Sequence, residues 1–319
     1  MNTMKQKNQD LLTIKDLVVE FGEGKNNKRV VNHVSFSIKQ GECLGLVGES
    51  GSGKTTIANA VMRFIKVREG EILFNGRNIL SLQGEELRNL YREIQIIFQN
   101  PDAAQSPYIK IGRYITEVYE NFFPADKFAL REKAKELLFL MGLSEEYADR
   151  YPGFLSGGEL QRVSIARAVS ILPSLIICDE PTSALDVSVQ ALIVELLIKL
   201  QKEKNLTYLF ISHDLPLVSY ICQRVVIMYR GEIVEVLPSK EMQLHALHPY
   251  THKLLSSTFT EQECSIAVSR DDFYKDVSGG CVFRNNCPYV KERCRREKPV
   301  LKELENNHLV ACFLAFEQL

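Results

Sequence analysis

The chain has 319 residues, more than one average domain, so one large domain with an appendage is expected. Hydrophobic residues make up 45% and charged residues 25%, the balance of an ordinary folded protein. A formal net charge of -1 leaves no overall basic field, which argues against nucleic acid as a main partner.

No apolar run reaches the length of a membrane span: Leu192-Ile193-Val194-Glu195-Leu196-Leu197-Ile198-Lys199 is interrupted by charge. The start, Met1 to Asp10, is polar and lacks the apolar core of a secretion signal, so a cytoplasmic chain is expected. The eight cysteines should then be reduced, and clustering among them points to metal rather than to disulfides.

Residues 11–20 and 30–38 alternate or run apolar with β-branched side chains, which predicts two strands. A polar turn, Gly22-Glu23-Gly24-Lys25-Asn26-Asn27-Lys28, separates them. Residues 42–47 form a third, short strand that leads into a glycine loop, after which 55–64 has helical character. Strand-like segments recur at 71–74, 94–98, 175–178, 207–211 and 224–228, with helical stretches between several of them. This favours an α/β layered core. Between Gly112 and Ala168 the pattern changes. Residues 128–141 are rich in Ala, Leu, Glu and Lys at helical spacing, and the region reads as a helical insert. Residues 187–203 predict another amphipathic helix, with Asp186 as its cap. Past Pro238 the character shifts again, and a boundary is placed near Leu244.

Gly48-Glu49-Ser50-Gly51-Ser52-Gly53-Lys54-Thr55 fits the G-x-x-x-x-G-K-[ST] pattern between a predicted strand and a predicted helix. Gly51 and Gly53 let backbone N–H groups turn inward and cradle phosphate oxygens, and the following helix adds its positive end. Lys54 is placed for the β- and γ-phosphates of ATP and the Thr55 hydroxyl for Mg²⁺, with Gly48, Ser50, Ser52 and Thr56 in the same cradle. Asp179 ends an apolar strand, Leu175-Ile176-Ile177-Cys178, that aims its carboxylate at the metal. Glu180 follows, where it can orient or deprotonate the attacking water. Adjacent acids at a strand end also form solvated turns; the upstream phosphate loop favours the catalytic reading.

Between these segments lies Leu155-Ser156-Gly157-Gly158-Glu159-Leu160-Gln161-Arg162. The three, in this order, resemble the nucleotide-binding subunit of an ATP-binding-cassette transporter. The resemblance covers roughly residues 11–238. It implies an α/β fold: a P-loop NTPase (RecA-like) core with an antiparallel β-subdomain and an inserted helical subdomain at about 100–170. The ATPase domain is then residues 11–243, followed by a small cysteine-containing extension at 244–319. The resemblance also implies roles. Gln99, in Ile97-Phe98-Gln99-Asn100-Pro101, contacts Mg²⁺ and the nucleophilic water and senses the membrane subunit. His213, in Ile211-Ser212-His213-Asp214, is the switch histidine on the γ-phosphate. Ser183-Ala184-Leu185-Asp186 contacts the partner ATPase, and Phe21 stacks on adenine. A lone histidine after a strand is more often a core or surface residue; order and spacing make these matches specific.

Two glycines after a serine at a helix start expose N–H groups and a hydroxyl, an anion-binding geometry. A plain capped helix explains Ser156 but not Gly157 and Gly158. In the family, a head-to-tail dimer sandwiches two ATP molecules, each between one phosphate loop and the other subunit's Ser-Gly-Gly. The resemblance therefore implies that these three residues act in trans on a second, homologous ATPase, a heterodimer being expected. It also implies two integral membrane permease subunits, an extracellular solute-binding protein engaged indirectly, and a peripheral position on the cytoplasmic face of the membrane. One stretch departs from the pattern. Asn100-Pro101-Asp102-Ala103-Ala104-Gln105-Ser106-Pro107 stands where many peptide-permease members have an Asp-Pro-x-x-Ser-Leu-Asn-Pro-like run, which leaves the membrane partner open.

Leu247-His248-Pro249-Tyr250-Thr251-His252-Lys253-Leu254-Leu255 looks like the extension that marks the oligopeptide and dipeptide permease branch. Its histidines read as structural, because no metal spacing fits them. Cys281, Cys287, Cys294 and Cys312 are spaced C-x5-C-x6-C-x17-C, without the C-x-x-C pair of a zinc knuckle. Four thiolates complete either a Zn²⁺ site or a [4Fe–4S] cluster, and plain buried thiols are the third reading. Arg284, Arg293, Arg295 and Arg296 offset the charge of either metal group. Some dipeptide-permease ATPases resemble this tail and hold an iron–sulfur cluster there. Cys43, Cys178 and Cys222 read as core residues; Cys264 is unassigned.

The expectation is the ATP-hydrolysing subunit of a peptide-class importer. An importer of nickel or another small solute is the alternative within the branch. Soluble cassette ATPases of DNA repair or translation usually carry long coiled-coil or zinc insertions, or two cassettes in one chain; this chain has neither. A regulatory module sensing nucleotide without transport is the remaining class, and co-purification with a membrane subunit separates it from the first.

Overall fold

The computed structural model describes residues 10–22, 27–101, 105–183, 185–259, 279–305 and 307–316, with the backbone alone for 257–259. The polar start before Asp10, the middle of the Gly22 to Lys28 turn, Asp102-Ala103-Ala104 of the divergent stretch, Ala184, and Cys264 with the polar stretch around it lie outside the described residues.

In chain order the strands are β1 (Asp10–Phe21), β2 (Lys28–Lys39), β3 (Cys43–Val47), β4 (Glu69–Phe74), β5 (Arg77–Asn78) and β6 (Ile94–Ile97). They continue with β7 (Leu175–Asp179), β8 (Thr207–Ser212), β9 (Arg224–Tyr229), β10 (Glu232–Pro238), β11 (Lys302–Glu303) and β12 (Leu309–Val310). The helices used below are α1 (Lys54–Val61), α2 (Ile111–Phe122), α3 (Lys127–Leu140), α4 (Gly157–Val169), α5 (Val187–Lys204), α6 (Leu215–Ile221) and α7 (Pro249–Phe259). Contacts divide the chain into two compact units. One holds residues 10–38, 43–80 and 210–319, the other 39–42 and 81–209.

In the first unit β2, β1, β4 and β5 form a sheet in that order. β1 and β4 are antiparallel, with Leu12 opposite Phe74 and a register shift between Lys15 and Val18. The shift lets one strand bury Leu12 and Ile14 before it and Leu17, Val18 and Val19 at and after it. A second group of strands surrounds β3, whose five residues are all buried. β3 pairs parallel with β9, Val47 opposite Ile227; β9 pairs antiparallel with β10, and β10 with β12. A strand buried on both faces reads as a continuous apolar run, as Cys-Leu-Gly-Leu-Val does here.

In the second unit β6 and β7 pair parallel, with Ile97 opposite Cys178. The helical insert is present as α2, α3 and α4. α2 buries Ile111, Tyr114, Ile115 and Val118, and α3 buries Leu130, Ala134, Leu137 and Leu138. Each such aliphatic side chain taken fully from water contributes about 1.5–3 kcal/mol. Asp126 caps α3 by accepting the Ala129 N–H at 2.8 Å.

Three local readings are corrected. The helix expected over 55–64 stops at Val61, because Arg63 takes a left-handed φ of 59°. Asp186 stands at the N-cap position just before α5, as expected, but makes no side-chain cap hydrogen bond. β10 was not anticipated: Glu232, Glu235 and Pro238 break its apolar run, although Glu235 is buried. No helix among the described residues is long and apolar enough to cross a membrane.

Candidate nucleotide site

In the first unit the phosphate loop runs from the end of β3 to the start of α1. Gly53 caps α1 at φ 104°, and a Cβ there would stand 2.8 Å from the Val30 carbonyl oxygen, so no other residue fits this turn unstrained. Lys54 is 4% exposed, and its Nζ donates to the Gly48 and Glu49 carbonyls at 2.8 and 3.0 Å. Ser50, Gly51 and Thr55 lie exposed on the rim, and Thr56 is half-buried. Ser52 Oγ is buried with no hydrogen-bond partner among the described residues. A hydroxyl so placed costs free energy unless a ligand meets it, which fits an anion seated in the loop. Phe21, at the end of β1, is 45% exposed, as a residue stacking on a flat ligand must be. His213 is exposed directly after β8. Its neighbours hold it there: Ser212 Oγ accepts the Asp214 N–H, and the Asp214 carboxylate accepts the Leu217 N–H, each at 3.0 Å.

In the second unit all of β7 is buried, and Asp179 at its end is 5% exposed. Glu180 follows with a left-handed φ of 47°. Such a conformation in a non-glycine residue costs of order 1 kcal/mol or more and concentrates at functional sites. The turn is closed by the Ser183 N–H and hydroxyl, which donate to the Glu180 carbonyl at 3.3 and 3.2 Å. Because Ile97 faces Cys178 across a parallel pair, the residues two further along each strand come level. These are Gln99 and Glu180, and Gln99 Nε2 donates to Glu180 Oε2 at 2.7 Å.

Also in the second unit, Ser156 caps α4 in a reciprocal box. Its Oγ accepts the Glu159 N–H at 3.4 Å, and the Glu159 carboxylate accepts the Ser156 N–H at 2.7 Å. The Tyr147 hydroxyl donates to the other Glu159 oxygen at 2.6 Å and, as the largest influence, holds this carboxyl below its ordinary range. Ser156 and Gly157 are exposed. Gly158 has a packing reason the sequence did not reveal: a Cβ there would stand 2.5 Å from Val189 Cγ1 of α5. At Gly157 the corresponding distance, to Leu185 Cδ2, is an ordinary 3.7 Å, so packing does not demand a glycine there.

In the extension Cys281, Cys287, Cys294 and Cys312 line one cavity, together with His248 and Phe283. Three of the sulfurs accept a backbone N–H from two residues on: Phe283 to Cys281, Tyr289 to Cys287 and Leu314 to Cys312. Burial pushes the Cys281 thiol up to about 11, so a thiolate there requires a compensating cation. Among the described residues, however, no group of three or more His, Cys, Asp or Glu side chains is placed to hold a metal ion. The two metal readings of the tail, zinc and iron–sulfur, thus have no such ligand group among the described residues. His248 is 1% exposed, and burial pushes its imidazole down to about 4. It is a neutral core residue whose Nδ1 accepts the Tyr250 N–H at 3.1 Å. Cys43, Cys178 and Cys222 are buried.

Residues 31–183 match the family described as ABC transporter, and residues 234–294 the family described as oligopeptide/dipeptide transporter, C-terminal region. The oligopeptide transport ATP-binding protein AppF of Bacillus subtilis (strain 168) is 44% identical over 294 residues, covering 90% of this chain and 89% of AppF. OppF of Salmonella typhimurium, an oligopeptide transport ATP-binding protein, is 38% identical over 329 residues and 98% of each chain. Among solved structures, the dimeric post-hydrolysis state of the ATP-binding cassette MJ0796 bound to ADP and Pi matches with a TM-score of 0.65 at 28% identity. That match covers 72% of this chain and 98% of MJ0796. The fold is thus the α/β P-loop NTPase cassette, and the chain belongs to the ABC-transporter ATPases, in their oligopeptide/dipeptide branch.

Proposed function

We propose that this chain hydrolyses ATP to drive uptake of peptides through a membrane permease. The observation that carries the reading is the Gln99–Glu180 hydrogen bond at the level ends of two parallel strands. A water held by Glu180 attacks the γ-phosphorus and gives its proton to that carboxylate. The bond from phosphorus to the bridging oxygen breaks, and ADP and phosphate leave. Lys54 and the loop from Gly48 through Gly51 and Gly53 to Thr56, with Ser50 and Ser52, bind the phosphates. His213 meets the γ-phosphate and Phe21 stacks on adenine. Thr55, Gln99 and Asp179 would hold Mg²⁺, which would supply positive charge to the phosphate oxygens.

In this reading Ser156, Gly157 and Gly158 serve the nucleotide of a second, similar ATPase, in a heterodimer. The dimeric state of the relative MJ0796 supports the pairing. The pair binds two permease subunits on the cytoplasmic face of the membrane, and an extracellular binding protein delivers the solute. Peptide as cargo is supported by the oligopeptide transport assigned to AppF and OppF. Residues 11–243 form the ATPase domain, with a helical subdomain at about 100–170, and residues 244–319 the extension.

The finer reading of the extension is that its four thiols ligate a [4Fe–4S] cluster. The shared cavity and the repeated N–H to sulfur bonds support it, since such bonds stabilise cluster thiolates. Anaerobically purified protein should carry iron and sulfide and lose both when Cys281 is changed to Ser. Zinc, or no metal, would end this reading. The transport reading is tested in the reconstituted complex: Glu180→Gln should bind ATP yet abolish peptide uptake, and unchanged uptake would refute it.

A further inference from the structure

Tyr250 takes no part in the hydrolysis chemistry, yet its hydroxyl touches the phosphate loop. The Glu49 N–H donates to Tyr250 Oη at 2.9 Å, across 201 residues of sequence. Lys253, one turn further along α7, places its Nζ 3.4 Å from the Glu49 carboxylate. The loop is also held at its other end, where the Gly231 N–H donates to the Ser52 carbonyl at 2.9 Å.

Tyr250 is itself immobilised. It is fully buried, with its ring centroid 4.5 Å from that of Tyr229 and 5.5 Å from that of Phe283. The start of α7 is anchored by Glu235, fully buried on β10. That carboxylate accepts the Leu247 and His248 N–H groups at 2.7 and 3.2 Å, and the Thr251 hydroxyl as well. A rigid hydroxyl from the extension therefore meets the one stretch of backbone that has to be pre-arranged for phosphate.

We propose that Tyr250 is a positioning residue for the phosphate loop, so that the C-terminal extension sets the affinity for nucleotide. The inference rests on the ATPase reading. A glycine-rich loop samples many backbone states, and apparent affinity falls with the fraction that is competent to bind. Losing one hydrogen bond of ordinary strength corresponds to roughly a five-fold weaker affinity.

Tyr250→Phe removes the hydroxyl and keeps the ring between Tyr229 and Phe283. In the assembled transporter, KM for ATP should rise about five-fold while kcat at saturation stays near that of the parent. Binding of a fluorescent ATP analogue, measured in a Glu180→Gln background where no turnover is needed, should weaken by the same factor. Lys253→Met should produce a smaller shift of the same kind. Unchanged KM and binding in Tyr250→Phe would overturn the proposal, as would a fall in kcat at constant KM. If Tyr250→Phe does not fold, Lys253→Met is read in its place, and unaltered affinity there overturns the proposal equally. A parent complex that binds the analogue without hydrolysing ATP would count against the ATPase reading and leave the binding comparison valid.

Discussion

His308 Nε2 lies 2.8 Å from Glu235 Oε1, and that carboxylate is wholly removed from solvent. The contact joins the segment before β12 to β10. Because the same carboxylate also receives the Leu247 and His248 N–H groups, one acid organises the whole approach to α7. Glu235→Ala leaves these donors buried without a partner and is expected to cost about 3–5 kcal/mol. Glu235→Gln keeps the shape and one acceptor oxygen and should cost less. Denaturant unfolding distinguishes them, and an unshifted midpoint for the alanine variant contradicts the assigned role.

If Glu180 is the proposed general base, Glu180→Gln should lower kcat by about 10²- to 10⁴-fold with ATP affinity nearly unaltered, since that role lies in the proton transfer and not in the phosphate cradle. On the proposed reading Gln99→Ala removes both the amide that orients Glu180 and a contact to Mg²⁺, and it should lower kcat about ten-fold, less than Glu180→Gln, because the general base survives. Steady-state turnover in the assembled complex measures both. Equal losses in the two variants would contradict this ranking.

The two glycines of the α4 cap should separate by stability. Gly158→Ala drives a Cβ to 2.5 Å from Val189 Cγ1, and overpacking of this kind costs typically about 1–3 kcal/mol. Gly157→Ala meets Leu185 at 3.7 Å and should leave the unfolding midpoint in place. On the proposed reading its effect should fall instead on nucleotide-dependent pairing with the second ATPase, followed by light scattering with ATP in the Glu180→Gln background. A destabilised Gly157→Ala variant would argue against that division.

Acid should loosen the cap of α4. The Tyr147 hydroxyl, and after it the Ser156 N–H, lower the Glu159 carboxyl from its ordinary value of 4.5. The folded state thus binds fewer protons than the unfolded one. The stabilisation is complete above 4.5 and is lost as pH falls through the lower, folded value. Glu159 is half-buried and still borders solvent, so screening keeps the effect small. The difference in thermal midpoint between the parent and Glu159→Gln should be constant near neutrality and shrink in acid. A difference insensitive to pH would exclude a role for the charge.

Most strands could be read from the chain because their cores are plain apolar runs, as in β3 and β7. β10 escaped because it carries Glu235, whose burial depends on donors from Leu247, His248 and His308 that no local pattern predicts. The cap of α5 was misread for a related reason. Asp186 is the right residue type in the right place, but its side chain makes no hydrogen bond to the helix end.

The glycine loop between β3 and α1 and the Ser156 turn at the start of α4 were legible as local elements from sequence alone, since each is written in an unbroken run of residues. Distance along the chain is what hid the rest. Gln99 meets Glu180 across 81 residues because two parallel strands share a register, and Tyr250 meets Glu49 across 201 because α7 is docked beside the loop. The convergence of four cysteines on one cavity likewise depends on how the extension folds back. Local spacing encodes which groups a site contains; only packing between remote segments decides which of them touch.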